Sequence, residues 1–332
     1  IGLQHGDEGK GKVTHHLLKK GDYTHCVRFN GGCNAGHTIY HNGVKLVTHH
    51  IPAGVFFNIT SVIGNGCVVD PVRLFQEIEY LESHGINVRD NLKIASNAHI
   101  ITELHKAQDG KDEKIGTTRT GNGPAYRDKY NRTGLRACDV PSLVPLLVDI
   151  YEELSDDATI LMEGAQGFWL DPDWGDYPYV TSSHTGVAAA IQNGINHRSI
   201  RNVWGIVKAY ETYVGKRSFQ PDDPIFNKIQ EIGQEFGATT GRERQCNWIN
   251  IEEIKRAISM NGVNRLVVNK IDVLREIQTW ATTAGNLHSE RSFKEYLNEE
   301  LHRGLGIEKI YFSDNPNNIF EQSVPGSLTT PH

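Results

Sequence analysis

No apolar run in this chain approaches the length of a membrane span, and no internal repeat or low-complexity stretch interrupts it. The first absence predicts no membrane partner. None of the five cysteines (Cys26, Cys33, Cys67, Cys138, Cys246) sits in a C-x-x-C pair, and the count is odd. That pattern predicts reduced thiols in a cytoplasmic protein rather than a disulfide framework. Basic excess is missing too: 34 Lys and Arg against 40 Asp and Glu give a formal net charge of −6. A general nucleic-acid or anionic-membrane binder usually carries a basic field, so both classes are disfavoured. Positive charge used on phosphate must therefore be gathered locally. A leading Met is also absent: the chain opens at Ile1-Gly2-Leu3 as a strand cut short, with no signal peptide visible, so N-terminal targeting is left open.

Histidine, by contrast, is abundant, with 16 residues. The pairs His15-His16 and His49-His50 lack the i, i+4 spacing with an intervening Glu that a helical zinc site needs. Adjacent side chains on a helix diverge, so both pairs are read as structural.

The remaining composition (38% hydrophobic, 22% charged, 8% aromatic over 332 residues) is that of a globular protein with a sizeable core. Thr60–Gly64 reads as a short strand. Asp70-Pro71 supplies an N-cap and an N1 proline, and Leu74, Phe75, Ile78 and Leu81 line one helical face until Gly85. Asn250, with Glu253 three residues on, opens a helix to Asn261-Gly262, and Arg265–Asn269 follows as a buried strand. Apolar bursts recur at Thr159–Met162, Val203–Val207 and Lys309–Phe312. Strands interleaved with helices predict an α/β fold: a large, mostly parallel sheet flanked by helices, with ligands at the carboxyl ends of its strands. No linker divides the chain, so residues 1–332 are expected to form one domain with long active-site loops.

The glycine-rich segment Gly6-Asp7-Glu8-Gly9-Lys10-Gly11-Lys12 carries the chemistry most clearly. Three glycines let backbone N–H groups approach an anion, two lysines add charge, and a short helix toward Leu18 brings its N-terminus to the same place. A passive phosphate cradle would avoid Asp7 and Glu8. An acid there suits a magnesium ligand, a base, or both. The G-x-x-x-x-G-K-[ST] pattern is absent, so that motif lends no support.

Asn30-Gly31-Gly32-Cys33-Asn34-Ala35-Gly36-His37-Thr38 presents an amide, an imidazole and a hydroxyl among small residues, which favours a polar role for His37. Three further clusters are alike: Ile115–Thr118 leading into Gly121–Pro124, Glu163-Gly-Ala-Gln166-Gly167, and Gly237-Ala238-Thr239-Thr240-Gly241-Arg242-Glu243-Arg244. Each alone fits an ordinary turn; five such loops in one chain do not. The two arginines suit a carboxylate or phosphate. Asn269-Lys270-Ile271-Asp272 offers a carboxylate that can accept from guanine N1–H and its exocyclic amine, beneath a lysine stem that can cover the base.

Together these segments, in order from Gln4 to about Pro316, resemble the adenylosuccinate synthetases: QHGDEGKGK, GGCNAGHT, IGTT with GPAY, EGAQG, YPYVTSS, KAYETYVG, EFGATTGRER and NKIDVL. The ordered set is highly specific. The resemblance implies a P-loop-NTPase-like fold, a homodimer, and ligation of IMP to L-aspartate at the expense of GTP with Mg2+. Asp7 would take the IMP N1 proton and bind magnesium with the Gly36 carbonyl. O6 would then attack the γ-phosphate, with His37 as general acid and Lys10 and Gln166 assisting. GTP would meet Gly6 to Lys12, Gly36, His37, Thr38, Arg244, Lys270, Ile271, Asp272, Ser313, Asp314 and Asn315. IMP would meet Asp7, Lys10, Asn34, Ala35, Gly36, His37, Thr118, Gln166, Thr181 and Arg242, with Arg132 from the partner subunit. Aspartate would meet Gly237 through Arg242, and Arg244.

The chain departs from the family at His5 (usually Trp), at Arg119-Thr120 (usually Gly-Arg) and at Asn315 (usually Gly), and it is shorter than most members, with 139–159 and 275–292 compressed. Two other classes remain open at this stage. One is a guanine-nucleotide switch supported by NKID alone, and the other is a metal-binding structural protein built on the histidines.

Overall fold

A computed structural model describes residues 1–34, 36–41, 43–111, 115–154, 157–237 and 241–315. Its centre is a run of parallel strands. On one side the order is Leu147–Val148, Leu92–Ala95, Thr60–Ile63, His25–Arg28 and Ile160–Glu163. On the other it is Trp204–Lys208, Arg265–Asn269 and Lys309–Phe312, also parallel. The first residues of the chain join the halves. Gly2 bridges in parallel to Gly167 and to Ile206, and Leu3 N–H donates to the Ile206 carbonyl at 3.0 Å. Each half-sheet has its own apolar core, one built around Val27, Val62 and Ile94 and the other around Leu3, Val207, Leu266 and Val268. The mostly parallel sheet read from the sequence is therefore present.

The local signals act as expected. Asp70 caps the helix Pro71–Ser83 by accepting from Val72 and Arg73 N–H, and Leu74, Ile78 and Leu81 are buried on its inner face. Asn250 accepts from Glu253 N–H to start Ile251–Asn261, which stops at Gly262 in a left-handed conformation (φ 60°). The helix after the phosphate loop is longer than its sequence suggested, running Lys10–Lys20 with its start inside the loop. Gly121–Pro124, read as a loop cluster, instead opens a helix, Asn122–Asn131. Gly121 adopts a left-handed turn before it, and Pro124 falls in the first turn, where its missing N–H costs nothing.

His15 packs against His41 and Phe57, and His50 Nε2 accepts from Asp70 N–H, so both histidine pairs serve the fold. All five cysteines are free. Among the described residues, no helix is long and apolar enough to cross a membrane.

Candidate active site

Strand ends at Arg28, Glu163, Lys208, Asn269 and Phe312 all open toward one edge of the sheet, where the glycine-rich segments gather. They enclose a cleft of about 470 Å3. It is lined by Gly6 through Lys12, Asn34, Gly36, His37, Thr38, Thr118, Gln166, Thr181, Gly237, Arg242, Arg244, Lys270, Asp272 and Asn315. Segments far apart in sequence and belonging to both half-sheets thus meet at one place, where ligands of open α/β sheets bind.

The phosphate loop divides its two acids. Glu8 turns inward and is wholly buried: Oε1 accepts from Gly6 N–H at 2.8 Å and Gln4 N–H at 3.2 Å, and Oε2 lies 2.5 Å from Lys10 Nζ. Gly2 is required beneath it, since a Cβ there would come within 2.3 Å of Glu8 Oε2. The Glu8 side chain is thus committed to the loop itself. Asp7 instead faces the cleft from a left-handed backbone (φ 60°), with Oδ2 2.9 Å from Arg244 Nε. Gln166 and Lys270, also in the cleft, share that conformation (φ 57° and 67°). Non-glycine residues held there store strain of roughly 1–3 kcal/mol each, and such strain concentrates at functional sites.

His37 is buried between two charges. Nδ1 lies 2.5 Å from Glu163 Oε1, and Arg28 Nη1 donates to Nε2 at 3.1 Å. Burial, with Arg28 adding to it, pushes the imidazole down to about 4, so His37 is neutral at pH 7. Burial alone would raise Glu163, but the Arg28 charge and the hydrogen bond from His37 hold it at about 2.

Lys12 ties the loop to the opposite half-sheet. Its Nζ donates to Asn269 Oδ1 at 3.3 Å, to Ser313 Oγ and to the Asn315 carbonyl at 2.6 Å. Burial lowers this lysine to about 8. Asn269 Nδ2 donates to the Glu8 carbonyl at 2.7 Å. Lys270 Nζ reaches the Gly233 carbonyl at 2.7 Å, and Asp272 stands in the first turn of Ile271–Ile277. Arg242 Nη1 donates to the Gly116 carbonyl at 2.7 Å, which joins the arginine loop to the Ile115–Thr118 segment.

Some expected site residues lie elsewhere. Ile271 is in the apolar core. Asp314 pairs with Arg275 at 3.1 Å, and Ser313 is buried against Lys12. Gly241 is a left-handed turn residue outside the cleft lining. Arg132 is exposed at the end of helix Asn122–Asn131, away from the cleft. Ala35, Ala238, Thr239 and Thr240 fall outside the described residues. Four charged residues with site contacts had no role in the sequence reading: Arg28, Glu163, Lys208 and Glu235. The available signal was a charge within or at the end of an apolar strand, as in Cys26-Val27-Arg28 and Ile206-Val207-Lys208.

The family model for adenylosuccinate synthetase matches residues 1–144 and 141–303. The chain belongs to the adenylosuccinate synthetase family. Relatives include the adenylosuccinate synthetase of Cytophaga hutchinsonii, 41% identical, with the match covering 84% of this chain and 77% of that one. The enzyme of Caldanaerobacter subterraneus subsp. tengcongensis is 39% identical, with 84% and 78% covered. The structure of fully ligated adenylosuccinate synthetase from Plasmodium falciparum superposes with a TM-score of 0.85 at 27% identity, covering 97% of this chain and 99% of that one. A cyanophage S-2L succinoaminodeoxyadenylate synthetase bound to dGMP and dATP shares the fold, with a TM-score of 0.78 at 22% identity. Membership gives the cleft a reason for combining a phosphate loop with an arginine loop, which a switch built on NKID alone would not use.

Proposed function

We propose that this enzyme joins IMP and L-aspartate to form adenylosuccinate, with GTP converted to GDP and phosphate. The observation that carries the reading is the meeting of Asp7, the Lys270–Asp272 segment and the Arg242/Arg244 pair in a single cleft. Asp7 takes the N1 proton of IMP, and O6 attacks the γ-phosphorus. The bond to the β-phosphate oxygen breaks, and GDP leaves. The amine of aspartate then attacks C6 of the 6-phosphoryl intermediate and expels phosphate. Lys10 and the loop amides stabilise charge on the group in transfer, the main task in such reactions.

Lys270 and Asp272 read guanine, with Asn315 bordering that end. Asn34, Thr118, Gln166, Thr181 and Arg242 hold IMP, while Arg242 and Arg244, with the Gly237–Gly241 loop, receive aspartate. His37 acts as general acid only after it gains a proton. The negative charge of bound phosphates favours that gain, and so does the Glu163 carboxylate at Nδ1. Asp7 and Gly36 both border the cleft, and a carboxylate and a backbone carbonyl are hard oxygen donors, which suits Mg2+. The ion would neutralise β- and γ-phosphate charge. The enzyme acts as a cytoplasmic homodimer in this reading, with the exposed Arg132 reaching a partner's cleft.

Asp7→Asn tests the assignment of the base. It should lower kcat on the order of 10² or more, while calorimetry still detects GTP binding. Near-normal turnover would sink the mechanism.

A further inference from the structure

Glu235 stands two residues before the arginine loop and is completely buried. Its Oε1 accepts from Tyr210 Oη at 2.5 Å and from Lys208 Nζ at 3.2 Å, and its Oε2 accepts from Arg244 Nη1 at 2.6 Å. The backbone repeats the link, with Arg244 N–H donating to the Glu235 carbonyl at 2.9 Å. On its other edge the same guanidinium meets Asp7, with Nε 2.9 Å from Oδ2. Lys208, itself buried, ends the strand Trp204–Lys208 and also borders the cleft. The result is a continuous chain of charge-assisted contacts running from the core, through Glu235 and Arg244, to Asp7.

A purely structural reading would have Glu235 neutralise the buried Lys208 and nothing more. Its second oxygen argues otherwise, because that oxygen is spent on Arg244. A free arginine side chain has many rotamers, and a charged partner held by Lys208 and Tyr210 removes much of that freedom before substrate arrives. Burial would raise the Glu235 carboxyl, but Lys208, Arg244 and Lys270 hold it down at about 2, so it stays ionised across the working pH range. Its grip on the guanidinium is therefore permanent.

We infer that Glu235 is a positioning residue of the ligase reaction: it fixes Arg244 so that the guanidinium is presented to Asp7 and to the incoming carboxylate of L-aspartate. The inference rests on the reading above that Arg244 receives aspartate. Glu235 touches no substrate and acts through Arg244. Lys208 and Tyr210 keep it in place while an arriving carboxylate competes with Asp7 for the exposed part of the fork.

Steady-state kinetics on three variants test this. Glu235→Gln keeps the shape and removes the charge; it should raise KM for L-aspartate about tenfold, on the scale of one charge-assisted hydrogen bond. KM for IMP should stay within about twofold. The double variant Lys208→Met/Glu235→Gln removes the cation that the single change leaves unpaired. Its thermal midpoint should recover toward wild type while KM for aspartate stays raised. Recovery of KM together with the midpoint would reduce Glu235 to a structural counter-ion and overturn the inference. Arg244→Met separates the inference from its premise. If Arg244→Met raises KM for aspartate and Glu235→Gln does not, the inference fails alone. If Arg244→Met leaves that KM unchanged, the assignment of Arg244 fails and the inference falls with it.

Discussion

Glu163 and His37 sit on different strands yet meet, with Glu163 Oε1 2.5 Å from His37 Nδ1, and Arg28, the in-register neighbour of Glu163, donates to the other ring nitrogen. The sequence made His37 a polar loop residue, whereas the structure makes it a clamped one, with Glu163 on Nδ1 and Arg28 on Nε2. Removing the carboxylate charge while keeping its shape should deprive a protonated His37 of its support. Glu163→Gln is accordingly expected to lower kcat by about 10- to 100-fold, with KM for GTP little changed; unchanged kcat would contradict the clamp. Arg119 is a second residue whose setting only the structure supplies. The family's usual glycine there is explained by a left-handed backbone (φ 58°) at an exposed position. Arg119→Gly should relieve that strain and raise stability by about 0.5–1 kcal/mol in urea unfolding. A loss of stability would show that the arginine side chain matters more than its backbone.

Elements with strong punctuation were readable: Asp70-Pro71, Asn250 with Glu253, and the apolar strand Arg265–Asn269 all form where their residues point. Helix Asn122–Asn131 was not, because its first turn is Asn-Gly-Pro, a turn signature whose helical use depends on packing against Glu103–Asp109. The link from helix Lys10–Lys20 to the segment after Lys309–Phe312 was equally invisible, since a lysine on a glycine-rich loop gives no hint of its partners. Lys12 holds that link and carries its charge only below about pH 8, because burial lowers it. Loss of that charge weakens attraction to phosphate. GTP affinity measured by calorimetry should therefore fall as pH rises through about 8, and Lys12→Met should abolish that dependence. A pH dependence persisting in Lys12→Met would assign it to another group.

At the scale of the whole molecule, the parallel sheet was legible from the interleaved pattern, but its continuity was not. That depends on Ile1–Leu3, readable as the end of a strand, lying between the half-sheets, and three residues carry no periodicity to say where they pair. The same large core sets the pH response. Burial depresses His5 and His50 to about 3 and His37 to about 4, from an ordinary 6.5. These three histidines therefore bind more protons in the unfolded chain than in the folded one between about pH 6.5 and 4. Their contribution to stability is fully present above pH 6.5 and falls with acidification, by about 1.4 kcal/mol per pH unit for each, while buried Glu211 and Glu77, raised to about 8 and about 6, act in the opposite sense. Chemical denaturation from pH 7 to 5 should show stability changing with pH by one histidine's share less in His50→Asn than in the wild type; identical pH profiles would contradict the burial of His50.

The most direct test of the central claim is an ultraviolet assay of IMP, GTP, Mg2+ and L-aspartate with each substrate omitted in turn. The account predicts the absorbance change of the 6-substituted aminopurine, with GDP formed in equal amount, only when all three substrates are present. GTP hydrolysis that proceeds at the same rate without IMP or aspartate, with no purine product, would contradict it.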